Sequence, residues 1–294
     1  MREKIEYSLV KLFLWLAKIT PKSFIYAMMK GLTLLVYHLD KKRRHITRTN
    51  LSRAFPQKTP EEIEALSKKV YTELSITISE ILLMFTGQFN IDEAVKNLDE
   101  AKEKLQKIVH NSPNGVIVMT AHFSNWELAA HFLAKNGLPM LAIGRTGNNK
   151  LIDQNITIPF RNKYGNRATS KDNAMLSMAK TLKKGDAVGL LIDQKAGSQN
   201  SVKVDFFGIA AETTLSVAML KLKFNPTVVP IFIARQSDGM YEMIINEPID
   251  YVAEEIEDKE KKLEGMTLKY NQAIEEVVRK YPAQWFWMHN RWRI

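Results

Sequence analysis

Residues 120–127 read Thr-Ala-His-Phe-Ser-Asn-Trp-Glu and put His122 five positions before Glu127. A carboxylate that holds one ring nitrogen of an imidazole fixes its tautomer and makes the other nitrogen a better base. Such a pair suits the removal of a proton from a hydroxyl acceptor. The run before it, Gly-Val-Ile-Val-Met-Thr at 115–120, is apolar and β-branched behind a Pro113-Asn114-Gly115 turn, which predicts a buried strand. His122 then falls just past the C-terminal end of that strand, where open α/β sheets bind their ligands. Ser124 or Asn125 can cap the helix that follows, so Glu127 sits in its first turn and can fold back onto the ring. The same spacing also fits a histidine that ends a strand beside a glutamate supporting the helix dipole.

Two more strand ends converge on the same region. Gly144-Arg145-Thr146-Gly147-Asn148-Asn149 follows a predicted strand at 138–143, and Leu191-Ile192-Asp193-Gln194-Lys195 ends another at 187–192. Arg145 carries a fork of donors suited to a phosphate or an oxyanion. Arg161 lies between the two blocks. Singly, each of these charges fits a surface position or a local ion pair. His131 reads as a helix-face residue, and His38, His45 and His110 have no acid partner of interest nearby.

Common catalytic signatures are missing. The sequence has no G-x-x-x-x-G-K-S/T loop, no G-x-G-x-x-G, no G-x-S-x-G and no H-E-x-x-H. With no cysteine, disulfides, thiolate metal sites, iron–sulfur clusters and a cysteine nucleophile are excluded. No metal and no organic cofactor is expected.

The elements around these residues alternate. Helices are predicted from the Thr59-Pro60-Glu61-Glu62 start to about residue 85, at 91–110, 126–136, 173–184, 215–224 and 266–281, with a mixed-charge helical surface at 254–264. Besides the strands already named, 227–234 and 241–245 read as strands. The expected fold is α/β, a mostly parallel or mixed central sheet flanked by helices, at the end of an N-terminal helical membrane anchor.

That anchor is inferred from charge and hydropathy. The net charge is +10, but residues 1–53 hold 12 Lys or Arg against three acids, which leaves 30 bases and 29 acids for the remaining 241 residues. A nucleic-acid domain spreads its basic face over the fold, so no nucleic-acid partner is expected. Residues 9–19 and 24–39 are apolar, interrupted by Thr20-Pro21-Lys22, and neither reaches the ~20 residues of a clean span. Lys41, Lys42, Arg43, Arg44, His45, Arg48 and Arg53 follow at once, a pattern that favours the cytoplasmic side of a membrane and its anionic lipid. The expected division is a membrane-anchoring segment at 1–40, spanning or interfacial, and a catalytic domain at 41–294. A buried helical hairpin with a solvated basic turn fits the same residues.

The block from His122 to Glu127 resembles the H-x-x-x-x-D/E motif of the lysophospholipid acyltransferase superfamily, and within it the bacterial lipid A (lauroyl/myristoyl) acyltransferases. The likeness extends to His45–Pro56, with Asn50-Leu51 and Phe55-Pro56; to Gly144-Arg145; to Ile192-Asp193-Gln194 with Phe206-Phe207-Gly208; and to Pro282-Ala283-Gln284-Trp285-Phe286-Trp287-Met288-His289-Asn290-Arg291. The resemblance implies a membrane-associated O-acyltransferase of the inner membrane with its catalytic domain in the cytoplasm. Its donor would be acyl–acyl carrier protein and its acceptor a hydroxyl of a lipid A precursor. Carried over, His122 is the base, Glu127 its orienting carboxylate, and Arg145, Arg161 and Asp193 are substrate-site residues. The alternatives are an acyltransferase for another phospholipid or glycolipid acceptor, of lysophosphatidate or mannolipid type, and a non-catalytic protein whose basic segment binds anionic lipid. The F-P-E-G block of the lysophosphatidate branch is replaced here by Ile192-Asp193-Gln194.

Overall fold

The computed structural model describes residues 1–144, 147–170, 174–197 and 200–293. The chain opens with two 18-residue helices, α1 (Arg2–Ile19) and α2 (Lys22–Leu39), separated where Pro21 breaks the helical path. Asp40 caps α3 (Lys41–Ala54) by accepting a hydrogen bond from the Arg43 amide. The 26-residue α4 (Pro60–Phe85) starts on a capping box: Thr59 accepts from the Glu62 amide, and the Glu62 carboxylate accepts from the Thr59 amide.

No helix among the described residues is long and apolar enough to cross a membrane. The membrane-spanning form of the 1–40 anchor therefore has no helix behind it. Instead, Ala17, Ile25 and Met29 pack on Leu82 and Leu83 of α4. Lys11, Lys18 and Lys30, together with the break at Pro21, keep each half too short and too charged.

The chain continues as α5 (Ile91–Ala94), α6 (Leu98–His110), β1 (Val116–Thr120), α7 (Trp126–Lys135), β2 (Met140–Gly144), α8 (Lys150–Ile152), α9 (Ile158–Arg161), β3 (Arg167–Ser170), α10 (Ala174–Leu182) and β4 (Ala187–Leu191). A hairpin, β5 (Ser201–Phe206) and β6 (Ile209–Thr214), precedes α11 (Ser216–Phe224), β7 (Thr227–Arg235), β8 (Tyr241–Ile245) and α12 (Lys259–Lys280). Six strands form one mixed sheet in the order β3-β2-β4-β1-β7-β8, parallel throughout except for the antiparallel β7–β8 pair. Alternate side chains of β1 feed two cores. Ile117 and Met119 face Val188, Phe232 and the α12 residues Met266, Tyr270 and Ile274. Val116 and Val118 face Leu128 and Phe132 of α7 and Leu105 of α6. The α/β expectation holds, with a mixed central sheet between helical layers.

Local differences have local causes. The helix expected at 91–110 is split between α5 and α6, because Val95 pairs with Tyr241, the Lys96 amide donates to the Tyr241 carbonyl at 2.9 Å, and Asn97 bonds both backbone groups of Met243. That stretch serves the edge of the sheet. The β5–β6 hairpin turns on Phe207 and Gly208, both at positive φ (58° and 73°). Phe207 at the first turn position hides the usual Asn-Gly signal. The helical surface expected at 254–264 begins only at Lys259, capped by Asp258, and runs on without a break as α12.

Candidate active site

Parallel pairing of β1 with β4 sets Thr120 opposite Leu191. Two residues further along each chain stand His122 and Asp193, so the register alone brings them side by side at the C-terminal edge of the sheet. The His122 ring donates from Nδ1 to Asp193 Oδ1 at 2.9 Å, and the His122 backbone amide donates to Asp193 Oδ2 at 3.0 Å. Trp285 adds a third donor, its indole Nε1 to Asp193 Oδ2 at 2.8 Å. Asp193 is 1% exposed, whereas 27% of the His122 side chain is open. Burial on its own would raise the Asp193 carboxyl. The His122 imidazole and the three donors outweigh it and hold the carboxyl below the ordinary aspartate value. With the proton on Nδ1, Nε2 is left as the basic nitrogen.

His122 rests edge-on against Trp126, with ring centroids 5.3 Å apart. A cleft beside it is walled by Val70, Leu74 and Thr77 of α4, by Trp126, and by Phe286 and Met288 of the C-terminal segment. That segment is sewn to the site. The Phe286 amide donates to the His122 carbonyl at 3.0 Å, the Ser124 amide to the Gln284 carbonyl at 2.6 Å, and Gln284 bonds both backbone groups of Arg235. His289 accepts from the Lys195 amide at 2.9 Å, and the buried Arg291 guanidinium donates to Thr213 Oγ1 at 2.6 Å. Trp287 and Trp292 belong to the core, but Trp285 touches the chemistry through Asp193.

Glu127 does not fold back onto His122. Its Oε1 accepts from Arg161 Nε at 3.2 Å and from Nη2 at 2.8 Å, and the pair is part-buried. The first turn of α7 aims the carboxylate across to α9, toward Arg161. Gly144, at the end of β2, makes room for the guanidinium: a Cβ there would stand 3.2 Å from Arg161 Nη1. His131, one turn along α7 from Glu127, is buried and donates from Nε2 to the Phe160 carbonyl at 2.8 Å. Its Nδ1 has no partner, and burial pushes its pKa below the ordinary histidine value. Glu127 and His131 thus hold adjacent residues of α9. Arg145 lies outside the described residues.

Among the described residues no cluster of histidine and carboxylate side chains is arranged to hold a metal. The chemistry on offer is that of a general base: an imidazole open on one side and fixed on the other by a buried carboxylate. Sequence spacing singled out His122, Arg161 and Asp193 and set Glu127 on the histidine; in the structure the His122 ring bonds Asp193, and Glu127 bonds Arg161. The spacing missed Trp285 as a donor, which only the third dimension reveals. The signal available was that Asp193 and His122 each fall just past the end of a predicted strand.

The sequence profile described as bacterial lipid A biosynthesis acyltransferase matches residues 1–294. Similar proteins include the lipid A biosynthesis lauroyltransferase of Escherichia coli K12, 27% identical over 286 residues, which is 95% of this chain and 89% of the relative. The lipid A biosynthesis acyltransferase of Haemophilus influenzae is 26% identical over 281 residues, 94% of this chain and 84% of the relative. The lipid A biosynthesis myristoyltransferase of Escherichia coli K12 is 21% identical over 277 residues, 92% and 81%. The chain is an acyltransferase, a member of the bacterial lipid A biosynthesis acyltransferase family.

Proposed function

We propose that this chain moves a fatty acyl group from an acyl–acyl carrier protein to a hydroxyl of a lipid A precursor, with His122 as general base. The observation that carries the reading is the buried Asp193 carboxylate on Nδ1 of a partly exposed His122 at the parallel-strand edge. The orienting role first assigned to Glu127 passes to Asp193. His122 Nε2 takes the proton of the acceptor hydroxyl as its oxygen attacks the thioester carbonyl. The tetrahedral intermediate collapses with loss of the carrier thiolate, which takes the proton back from the imidazolium. The negative charge on the carbonyl oxygen needs donors, for which Arg145 or backbone N–H groups are the candidates. Arg161, fixed by Glu127, is assigned to a phosphate or sugar hydroxyl of the acceptor. A thioester is already activated, so the scheme uses no metal and no cofactor.

The acceptor and its product are lipids, so the enzyme must reach a membrane. Residues 1–40 are assigned to that task and 41–294 to the acyltransferase domain. Leu9, Leu12, Phe13, Trp15, Leu16 and Ile19 of α1 are all exposed, as are Phe24, Leu32, Leu35 and Leu39 of α2. So large a bare apolar surface is unusual on a protein that stays in water. Lys4, Lys11, Lys18 and Lys22, with the basic α3 behind them, supply the charge that holds such helices at an anionic interface. The helices then lie in the cytoplasmic face of the inner membrane instead of crossing it.

The test is transfer from purified, radiolabelled acyl–acyl carrier protein to a lipid A precursor in mixed micelles, read by mass spectrometry. A mass increase of one acyl chain on the precursor, lost in His122→Ala, is the expected result. Label appearing only on lysophospholipid or phosphatidylinositol mannoside overturns the acceptor assignment.

A further inference from the structure

The His122 loop is gripped from a second side by a buried polar cluster remote from the reacting atoms. Glu80, on α4, is 3% exposed. Its Oε2 accepts from Asn125 Nδ2 at 3.0 Å and from the Tyr241 hydroxyl, and its Oε1 accepts from Arg235 Nη2 at 2.5 Å. Tyr26 of α2 reaches the same Oε1 at 3.4 Å. Asn125 is fully buried and uses its other amide atom to cap α7, Oδ1 accepting from the Leu128 amide at 3.0 Å. One side chain therefore ends the His122 loop, starts the helix that bears Glu127, and ties both to α4. Thr77, one turn before Glu80, donates to the Ser124 carbonyl at 3.3 Å.

The loop needs such a grip. Ser124 sits at φ 50°, a left-handed conformation that a non-glycine residue holds only when its surroundings impose it. The Gln284 carbonyl and Thr77 hold Ser124 itself, the Phe286 amide holds the His122 carbonyl, and Glu80 holds Asn125. Arg235 and Tyr241 fix the carboxylate in turn, since a buried anion without partners would not stay. Arg235 is also clasped at its backbone by Gln284.

We infer that Glu80 is a positioning residue for acyl transfer: through its hydrogen bond to Asn125 it sets where the His122 ring stands. The inference rests on the reading of His122 as the base. An amide donating to a buried carboxylate can be exchanged end for end. Asn125→Asp keeps the helix cap but sets two carboxylates face to face. Glu80→Gln keeps the shape but loses the charge that Asn125 and Arg235 share. The double variant Glu80→Gln/Asn125→Asp restores one donor facing one acceptor at unchanged net charge.

Each single variant is expected to lower kcat by about 10–100-fold with little change in KM, the scale on which small misplacements act, and the swap is expected to recover most of kcat. Asn125→Ser, which caps α7 but is too short to reach Glu80, provides a folded single variant should the charged ones unfold. A readout independent of turnover is the 15N NMR signature of the His122 ring, identified by its loss in His122→Ala. It should move from one fixed tautomer to an averaged pair in the single variants and return in the swap. Wild-type transfer with unchanged kcat and unchanged ring signals in folded single variants overturns the inference. So does a folded swap that stays as impaired as its parents. No wild-type transfer to the precursor would instead fail the proposed function, and the ring signals would still decide whether Glu80 positions His122.

Discussion

Asp193 Oδ1 lies 2.9 Å from His122 Nδ1 although 71 positions separate the two residues in the chain. Each is the second residue past the end of a strand, and the two strands are paired in parallel with their ends level. Asp193→Asn can offer Nδ1 an amide hydrogen in place of a carboxylate, which favours the wrong tautomer and no longer stabilises the imidazolium. Acyl transfer should fall by about 10²–10⁴-fold, as in His122→Ala. Because the two act as one unit, the double variant should be scarcely worse than the poorer single one. Steady-state transfer assays of the three folded variants check this; additive losses would mean that they act separately.

Glu127 and Arg161 form a second pair with a different job. Removing the Glu127 charge leaves the guanidinium without the carboxylate oxygen that takes two of its N–H groups and aims it, and removing Arg161 leaves a part-buried carboxylate unpaired. Glu127→Gln and Arg161→Gln should each raise KM for the acceptor more than they lower kcat. The double variant should show strong non-additivity within the pair and near-additivity with His122→Ala at saturating acceptor. A Glu127→Gln variant that loses kcat alone, with KM intact, would return the glutamate to the proton-transfer machinery.

The strands that carry the candidate site were legible in the sequence, because short apolar runs and the turns before them mark buried strands whatever the tertiary context. His122 and Asp193 were singled out by where they fall after such runs, and Arg161 by its place between two strand-end blocks. Their pairing was not legible. Glu127 is five residues from His122 and Asp193 is 71 away, so local spacing favours the glutamate, while strand register decides for the aspartate. Strand β3 and the β5–β6 hairpin were missed for lack of local signal. Arg167, Thr169 and Ser170 make a polar edge strand, and Phe207 occupies a turn position that glycine or asparagine usually announces. The network around Glu80 joins α2, α4, the start of α7, β7 and β8 and leaves no trace in any one of them.

The apolar face of α1 gives a prediction that leaves the fold alone. Deleting residues 1–40 would strip Ile25 and Met29 from Leu82 and Leu83 of α4 and expose that core. Substitution of outward residues avoids the damage. Leu12→Ser, Trp15→Ser and Leu16→Ser together remove three side chains about half exposed in the absence of lipid, each worth roughly 1.5–3 kcal/mol when buried. Flotation with vesicles containing phosphatidylglycerol should show at least a tenfold loss of binding, with the melting temperature unchanged. Residual binding should weaken as salt rises, since it depends on α3 and the lysines. Undiminished binding of the triple variant would place the membrane contact elsewhere.

His131 makes stability depend on pH in a way that can be isolated. Its ring is 1% exposed, burial holds its pKa below 6.5, and in the unfolded chain it titrates near that value. Between the depressed folded value and 6.5 the unfolded chain binds a proton that the folded chain refuses. More protons on the unfolded side means that stability rises with pH, so it is full above about 6.5 and is lost as pH falls below it. The slope reaches about 1.4 kcal/mol per pH unit, until the folded histidine is itself protonated. His289, also lowered by burial, adds to the fall with the same sign. His131→Gln presents an amide to the Phe160 carbonyl at the position of Nε2 and has nothing to titrate. Urea midpoints of wild type and variant should keep a fixed separation from pH 8 to about pH 7. Below that the wild type should lose stability faster, so the difference isolates His131 from His289 and from every carboxylate. Parallel curves down to pH 5 would show that His131 titrates alike in the folded and unfolded chain, and that its buried bond to Phe160 does not exclude the proton.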